Sequence, residues 1–99
     1  MTKNNHFIYI LTNKNHTTFY VGRTIDLIQR IYTHRQKLVE GFTKKYNLTK
    51  LVYFESGGDF ESSLARERKI KKYCRAWKKN LIESINPEWK DLYNLITKT

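Results

Sequence analysis

Two runs of β-forming residues open the chain, His6–Thr12 and Thr17–Val21. Between them Asn13-Lys14-Asn15-His16 has the length and chemistry of a hairpin loop, and Gly22 closes the second run. From Asp26 to Leu38 the apolar period changes. Leu27, Ile28, Ile31 and Leu38 fall at helical spacing and are expected to line a core-facing stripe, capped by Thr24 or Asp26 and ended at Gly41. Leu51–Phe54 predicts a third strand and Ser56-Gly57-Gly58 a turn, with Asp59 as N-cap of a helix running to about Tyr73. Ala76–Ile85 predicts another helix, ended by Asn86-Pro87 because a residue before proline is pushed out of the α region. Pro87 suits the first turn of a short last helix, Glu88–Ile96. The order β-β-α-β-α-α, plus that last helix, predicts an α+β fold: a small three-stranded antiparallel sheet flanked by helices.

Ninety-nine residues allow one small domain, spanning 1–99, with no repeat, linker or low-complexity segment. At 39% apolar and 14% aromatic the chain carries too much packing material for a disordered polycation. No apolar run approaches the roughly 18–20 residues of a membrane span, and no secretory signal opens the chain. The single Cys74 excludes an intramolecular disulfide and a multi-cysteine zinc site, so a reducing, cytoplasmic setting is expected.

Charge changes the picture most. The net charge is +10, and Arg66–Lys79 alone supplies +7 of it, through Arg66, Arg68, Lys69, Lys71, Lys72, Arg75, Lys78 and Lys79 against Glu67. A surplus of this size on so small a body favours a polyanion, nucleic acid above all. Ile70, Tyr73, Cys74 and Trp77 recur through the stretch at helical spacing, so it reads as an amphipathic basic element and not a tail. Trp77 and Trp89 are expected to pack in the core or between helices, stacking on an exposed base being the alternative.

Glycine-loop, HExxH, paired-cysteine and GxSxG motifs are absent. What remains is a scattered polar set. Tyr9 and Tyr20 lie in neighbouring strands, and pairing about Asn15 would set them opposite each other; a phenol can relay a proton, and it can equally be an ordinary sheet aromatic. Arg30 and His34, four apart, share a helix face: one can stabilise charge building on a phosphate and the other can shuttle a proton, unless both simply face solvent. Arg23 extends the positive surroundings. Glu67, one acid among eight bases, has two readings. It can pair with Lys71 one turn on, worth about 0.3–0.5 kcal/mol, or it can hold a divalent cation such as Mg²⁺, which often takes one or two protein carboxylates together with substrate phosphates.

Taken in order, Phe7-Ile8-Tyr9, Tyr20-Val21-Gly22, Arg30-x-x-x-His34 and Glu67 within Ala65–Lys71 resemble the GIY-YIG nuclease domain, over Phe7 to about Tyr93 and most closely its small stand-alone members. Phe7 stands where the first motif has Gly, and Val21 where the second has Ile; neither change removes a reactive group. The resemblance implies a Mg²⁺- or Mn²⁺-dependent endonuclease hydrolysing DNA phosphodiester bonds, structure-selective or weakly sequence-selective, with no small-molecule cofactor. It implies that Tyr9 activates the attacking water together with His34, that Tyr20 matches the second tyrosine, that Arg30 stabilises the pentacovalent phosphate and that Glu67 holds the metal. Asn86 is the candidate for a further active-site Asn near the domain end. Arg23 and the basic residues of 66–79 would grip backbone phosphates. Alternatives of another class are a non-catalytic nucleic-acid-binding module and a docking domain of a DNA repair or recombination assembly.

Overall fold

The computed structural model describes residues 5–97. In chain order it contains β1 (His6–Thr12), β2 (Phe19–Thr24), α1 (Leu27–Arg35), α2 (Phe42–Lys45), β3 (Lys50–Gly58), α3 (Phe60–Lys71), α4 (Arg75–Ile85) and α5 (Tyr93–Thr97). The strands form one three-stranded antiparallel sheet, as expected, and its order is β2-β1-β3. β1 is central and covered on both faces, which is why it reads as a near-continuous apolar run. Ile8 and Ile10 pack with Val21, Val52, Ile70 of α3 and Ile82 of α4. On the opposite face Tyr9 and Leu11 pack with Leu27 and Ile31 of α1, Leu48, Leu51 and Leu92. The alternation of β1 thus divides the core into two layers, one under α3 and α4 and the other under α1 and α5.

Several expected boundaries move, each for a local reason. α1 stops at Arg35 because Lys37 takes a left-handed conformation (φ 57°), with Lys37 N–H bonded to His34 O and Leu38 N–H to Thr33 O. This is a Schellman termination with lysine where glycine is usual. Leu38 is therefore outside the helix and exposed, as is Ile28, and the buried stripe is Leu27, Ile31 and His34. Gly41 does not end α1; it precedes the one-turn α2 at φ 111°. Asp26 is the cap, its carboxylate accepting from Gln29 N–H at 3.1 Å.

β3 runs on through Ser56 to Gly58, where a turn was expected. A Cβ on Gly57 would sit 2.4 Å from Ile8 Cδ1 and 2.9 Å from Ser63 Cβ, so this glycine serves close packing of α3 on the sheet. Asp59 caps α3 as expected, accepting from Ser62 N–H at 2.8 Å. The basic stretch is not one amphipathic element: α3 ends at Lys71, α4 begins at Arg75, and both Cys74 and Trp77 are exposed. Pro87 does not open a helix either. It enters a turn closed by Trp89 N–H to Asn86 O at 3.0 Å, and the last helix starts only at Tyr93. Asp91 fixes that last segment, accepting from Leu51 N–H (3.2 Å), Tyr93 N–H (3.1 Å) and Arg35 Nη1 (2.6 Å).

Candidate active site

β2 is an edge strand, and the polar residues singled out in the sequence gather around it. The hairpin register pairs Tyr9 with Gly22 and Leu11 with Tyr20, two residues away from direct Tyr9–Tyr20 pairing. The difference comes from the six-residue connection Asn13–Thr18, in which Asn13 Oδ1 accepts from Thr17 N–H at 2.9 Å and moves the centre of the loop past Asn15. The two tyrosines still meet, diagonally, with ring centroids 6.2 Å apart.

Opposite Gly22 the Tyr9 side chain has room to lie across β2. A Cβ on Gly22 would fall 2.5 Å from both Cζ and Oη of Tyr9 and 2.9 Å from Cε2 of Tyr20. Glycine is required here to let the phenol cross the strand. Tyr9 is buried, and its hydroxyl lies 3.2 Å from His34 Nε2. The other ring nitrogen, Nδ1, is 3.1 Å from Thr43 Oγ1 of α2, also buried. Tyr20 completes the group, its ring 5.8 Å from that of His34.

Burial, reinforced by Tyr20 and opposed by Arg30, with Glu67 adding, pushes the Tyr9 phenol well above its ordinary value. Burial, with the Arg30 charge beside it, lowers His34 to about 4, so the imidazole is neutral near pH 7. Arg30 stands one turn before His34 on α1 and is exposed to solvent. Tyr9, Tyr20, Arg30 and His34 thus occupy one corner at the β2 edge.

Glu67 reaches the same edge from the opposite face of the sheet. Val21 faces α3, so Arg23, two residues on, does too. Its Nε lies 3.2 Å from Glu67 Oε1, while Lys71 Nζ is 3.1 Å from Oε2. The Lys71 pair, one of the two readings of Glu67, is present, and Arg23 is the partner that sequence spacing could not reveal. Arg23 is itself braced, with Nη1 3.2 Å from His6 Nδ1 and the guanidinium 4.7 Å above the Phe60 ring. Only a thin strand separates the two halves of the site, and the Tyr9 hydroxyl feels the Glu67 charge across it.

The basic residues fall into two groups. Arg66 grips Glu55 through Nε (2.7 Å) and Nη2 (3.0 Å), and Glu55 also accepts from the Tyr53 hydroxyl. Arg75 donates to Thr17 O and lies over Phe19. With Arg23 and Lys71 on Glu67, four of the nine cations expected to meet phosphate have partners within the protein. Arg68, Lys69, Lys72, Lys78 and Lys79 make no ion pair among the described residues. Asn86 is buried away from this edge in a role of its own. Its amide donates to Val52 O (3.0 Å) and Lys90 O (2.9 Å) and accepts from Lys90 N–H (3.0 Å), tying the Pro87 turn to β3.

This sheet, with one tyrosine crossing an edge strand and a second on it, an Arg-His helix on one side and a lone glutamate on the other, defines a class. The GIY-YIG catalytic domain matches residues 5–80, and the chain belongs to that family of nuclease-type hydrolase domains. Within it, the chain is 37% identical over 89 residues to a UPF0213 protein of Syntrophus aciditrophicus, covering 89% of this chain and 98% of the relative. It is 32% identical over 83 residues to the UPF0213 protein YazA of Bacillus subtilis, covering 84% of this chain and 83% of that one. The solution NMR structure of the UPF0213 protein BH0048 from Bacillus halodurans superposes with a TM-score of 0.57 at 26% identity, over 95% of this chain and 99% of the other.

Proposed function

We propose that this protein is a divalent-metal-dependent endonuclease that hydrolyses DNA phosphodiester bonds with structural or weak sequence selectivity. The observation that carries the reading is the convergence of Tyr9, His34 and Arg30 with Glu67 at one exposed sheet edge, beside cations that make no internal ion pair. His34 is the proton acceptor. Neutral, with Nδ1–H donating to Thr43, it presents the Nε2 lone pair to the Tyr9 hydroxyl. Tyr9 donates to it and keeps its own oxygen lone pairs for a water proton. Tyr9 therefore relays a proton and need not exist as phenolate, a form its burial disfavours. Arg30, exposed beside this pair, meets charge as it builds on the phosphate oxygens.

Among the described residues no three His, Cys, Asp or Glu side chains gather, so a metal here rests on one carboxylate. The donor set fits a hydrated Mg²⁺ or Mn²⁺. A carboxylate offers about four acceptor positions, and Arg23 and Lys71 use two of those of Glu67. Bound there, the ion would supply Lewis-acid stabilisation of the phosphate and the leaving oxygen. Arg68, Lys69, Lys72, Lys78 and Lys79 grip the backbone, which orients the strand with little base readout.

The test is nicking of plasmid, flapped and branched DNA with and without Mg²⁺ or Mn²⁺, comparing wild type with Glu67→Ala and Tyr9→Phe. Metal-dependent cleavage that falls roughly 10²–10⁴-fold in Tyr9→Phe is expected. Equal cleavage by Glu67→Ala would remove the metal role, and DNA binding without cleavage of any substrate would reduce the protein to a binding module.

A further inference from the structure

Trp77 is a large aromatic side chain whose position the proposed chemistry does not use. The sequence favours packing in the core or between helices for it, with base stacking as the alternative, yet 62% of it is exposed. It stands on the first turn of α4 against Tyr73, with ring centroids 5.5 Å apart and planes at 79°. Tyr73 is half-buried and anchored on the Ile70–Ile82 layer, as is Leu81. Together Tyr73, Trp77, Asn80, Leu81 and Ser84 line an open groove of about 380 Å³.

The chemistry of this groove selects among occupants. Its floor is aromatic and aliphatic, and it contains no carboxylate. Glu83, on the same helix, accepts from the Trp89 indole N–H at 2.8 Å. The side-chain amide of Asn80 has no hydrogen-bond partner among the described residues, which leaves both a donor and an acceptor at the rim. Next to the lining residues in sequence are Lys72, before Tyr73, and Lys78, after Trp77, with Lys69 one turn before Tyr73 on α3; none of the three makes an ion pair among the described residues. A flat π surface, one free amide and neighbouring cations describe a seat for a nucleobase whose phosphates lie on the lysines. A base can occupy it only when it is out of the duplex stack.

We propose that the Tyr73–Trp77 groove binds an unpaired base of a nucleic acid strand. It thereby directs the protein to DNA with a single-stranded segment, a flap, a gap or a branch, over continuous duplex. This inference rests on the nuclease reading above and narrows its substrate. Tyr73 follows Glu67 by six residues, so the seat is carried by the end of α3 and by α4, on the same face of the sheet as Glu67.

The test is binding in EDTA, where no metal-dependent cleavage intervenes, using the full chain with Trp89→Phe so that Trp77 is the sole indole. Its fluorescence is titrated with a short oligothymidylate and with a duplex of equal length. Quenching by the single strand is expected. Trp77→Ala should weaken single-strand binding roughly 5- to 150-fold, the range of base–aromatic stacking, while leaving duplex affinity unchanged. Trp77→Phe should recover most of it. Emission unmoved at saturating oligothymidylate, or equal weakening on both DNAs, would overturn the proposal. Self-association in sedimentation that Trp77→Ala abolishes would overturn it too, by assigning the face to a second copy of the chain. Plasmid nicking is scored separately. Quenching without nicking leaves the groove and removes the nuclease, whereas nicking without quenching does the reverse.

Discussion

Gly22 carries no functional group, yet the placement of Tyr9 depends on it. The nearest atoms to an added methyl are the hydroxyl end of Tyr9, buried between β2 and α1, so little can give way. Gly22→Ala is expected to cost ~1–3 kcal/mol in urea unfolding, as overpacking does, and to separate Tyr9 from His34. His34 itself sets a pH dependence. Its ordinary value is 6.5 and the folded protein lowers it to about 4, so between these the unfolded chain binds the proton more tightly. Stability is therefore complete above about pH 6.5 and falls as the pH drops towards 4, by on the order of 3 kcal/mol. NMR titration of the His34 ring should show a midpoint far below 6.5, and His34→Gln should flatten the stability profile in that window. His16 is lowered too, through burial and then Lys50 and Lys79, so the same comparison in a His16→Gln background isolates His34.

At the scale of elements, the strands and the caps at Asp26 and Asp59 were legible because each rests on a local signal: β-rich runs and a side-chain oxygen three residues before a free N–H. The corner formed by Tyr9, Arg30 and His34 was legible as well, through spacing and family resemblance. Glycine and proline misled, because each has more than one use. Gly57 permits helix packing where a turn was expected, and Pro87 enters a turn where a helix was expected. Lys37 ends α1 in a conformation that its identity does not announce. Arg23 could not be placed on Glu67 because the two are 44 residues apart and meet only through the β2–α3 packing. Asn86 belongs to this scale: its amide joins the Pro87 turn to β3, and Asn86→Ala leaves Val52 O and Lys90 N–H without partners. A loss of ~1–3 kcal/mol is expected in thermal or urea unfolding, with Tyr9, His34 and Glu67 undisturbed.

For the whole molecule, net charge overstates the grip. Of the cations first assigned to DNA, Arg68, Lys69, Lys72, Lys78 and Lys79 remain without an internal partner. Five phosphate contacts give a slope of log K against log salt near −4.5, whereas all nine would give about −8. Fluorescence anisotropy with duplex DNA in EDTA, over a salt series, distinguishes the two. No helix among the described residues is long and apolar enough to cross a membrane. The arrangement around Glu67 also bears on what happens when metal is scarce. Arg23 and Lys71 act as resident counter-ions, so the carboxylate is never left facing its own charge. The fold should therefore stand without the proposed ion: dialysis against a chelator should leave the melting temperature where it was, while the metal-dependent reading predicts that cleavage is silenced. On the proposed metal-dependent reading, returning Mg²⁺ restores cleavage at once, with no refolding step, and supply of the ion would turn the protein on and off while its amount stays constant.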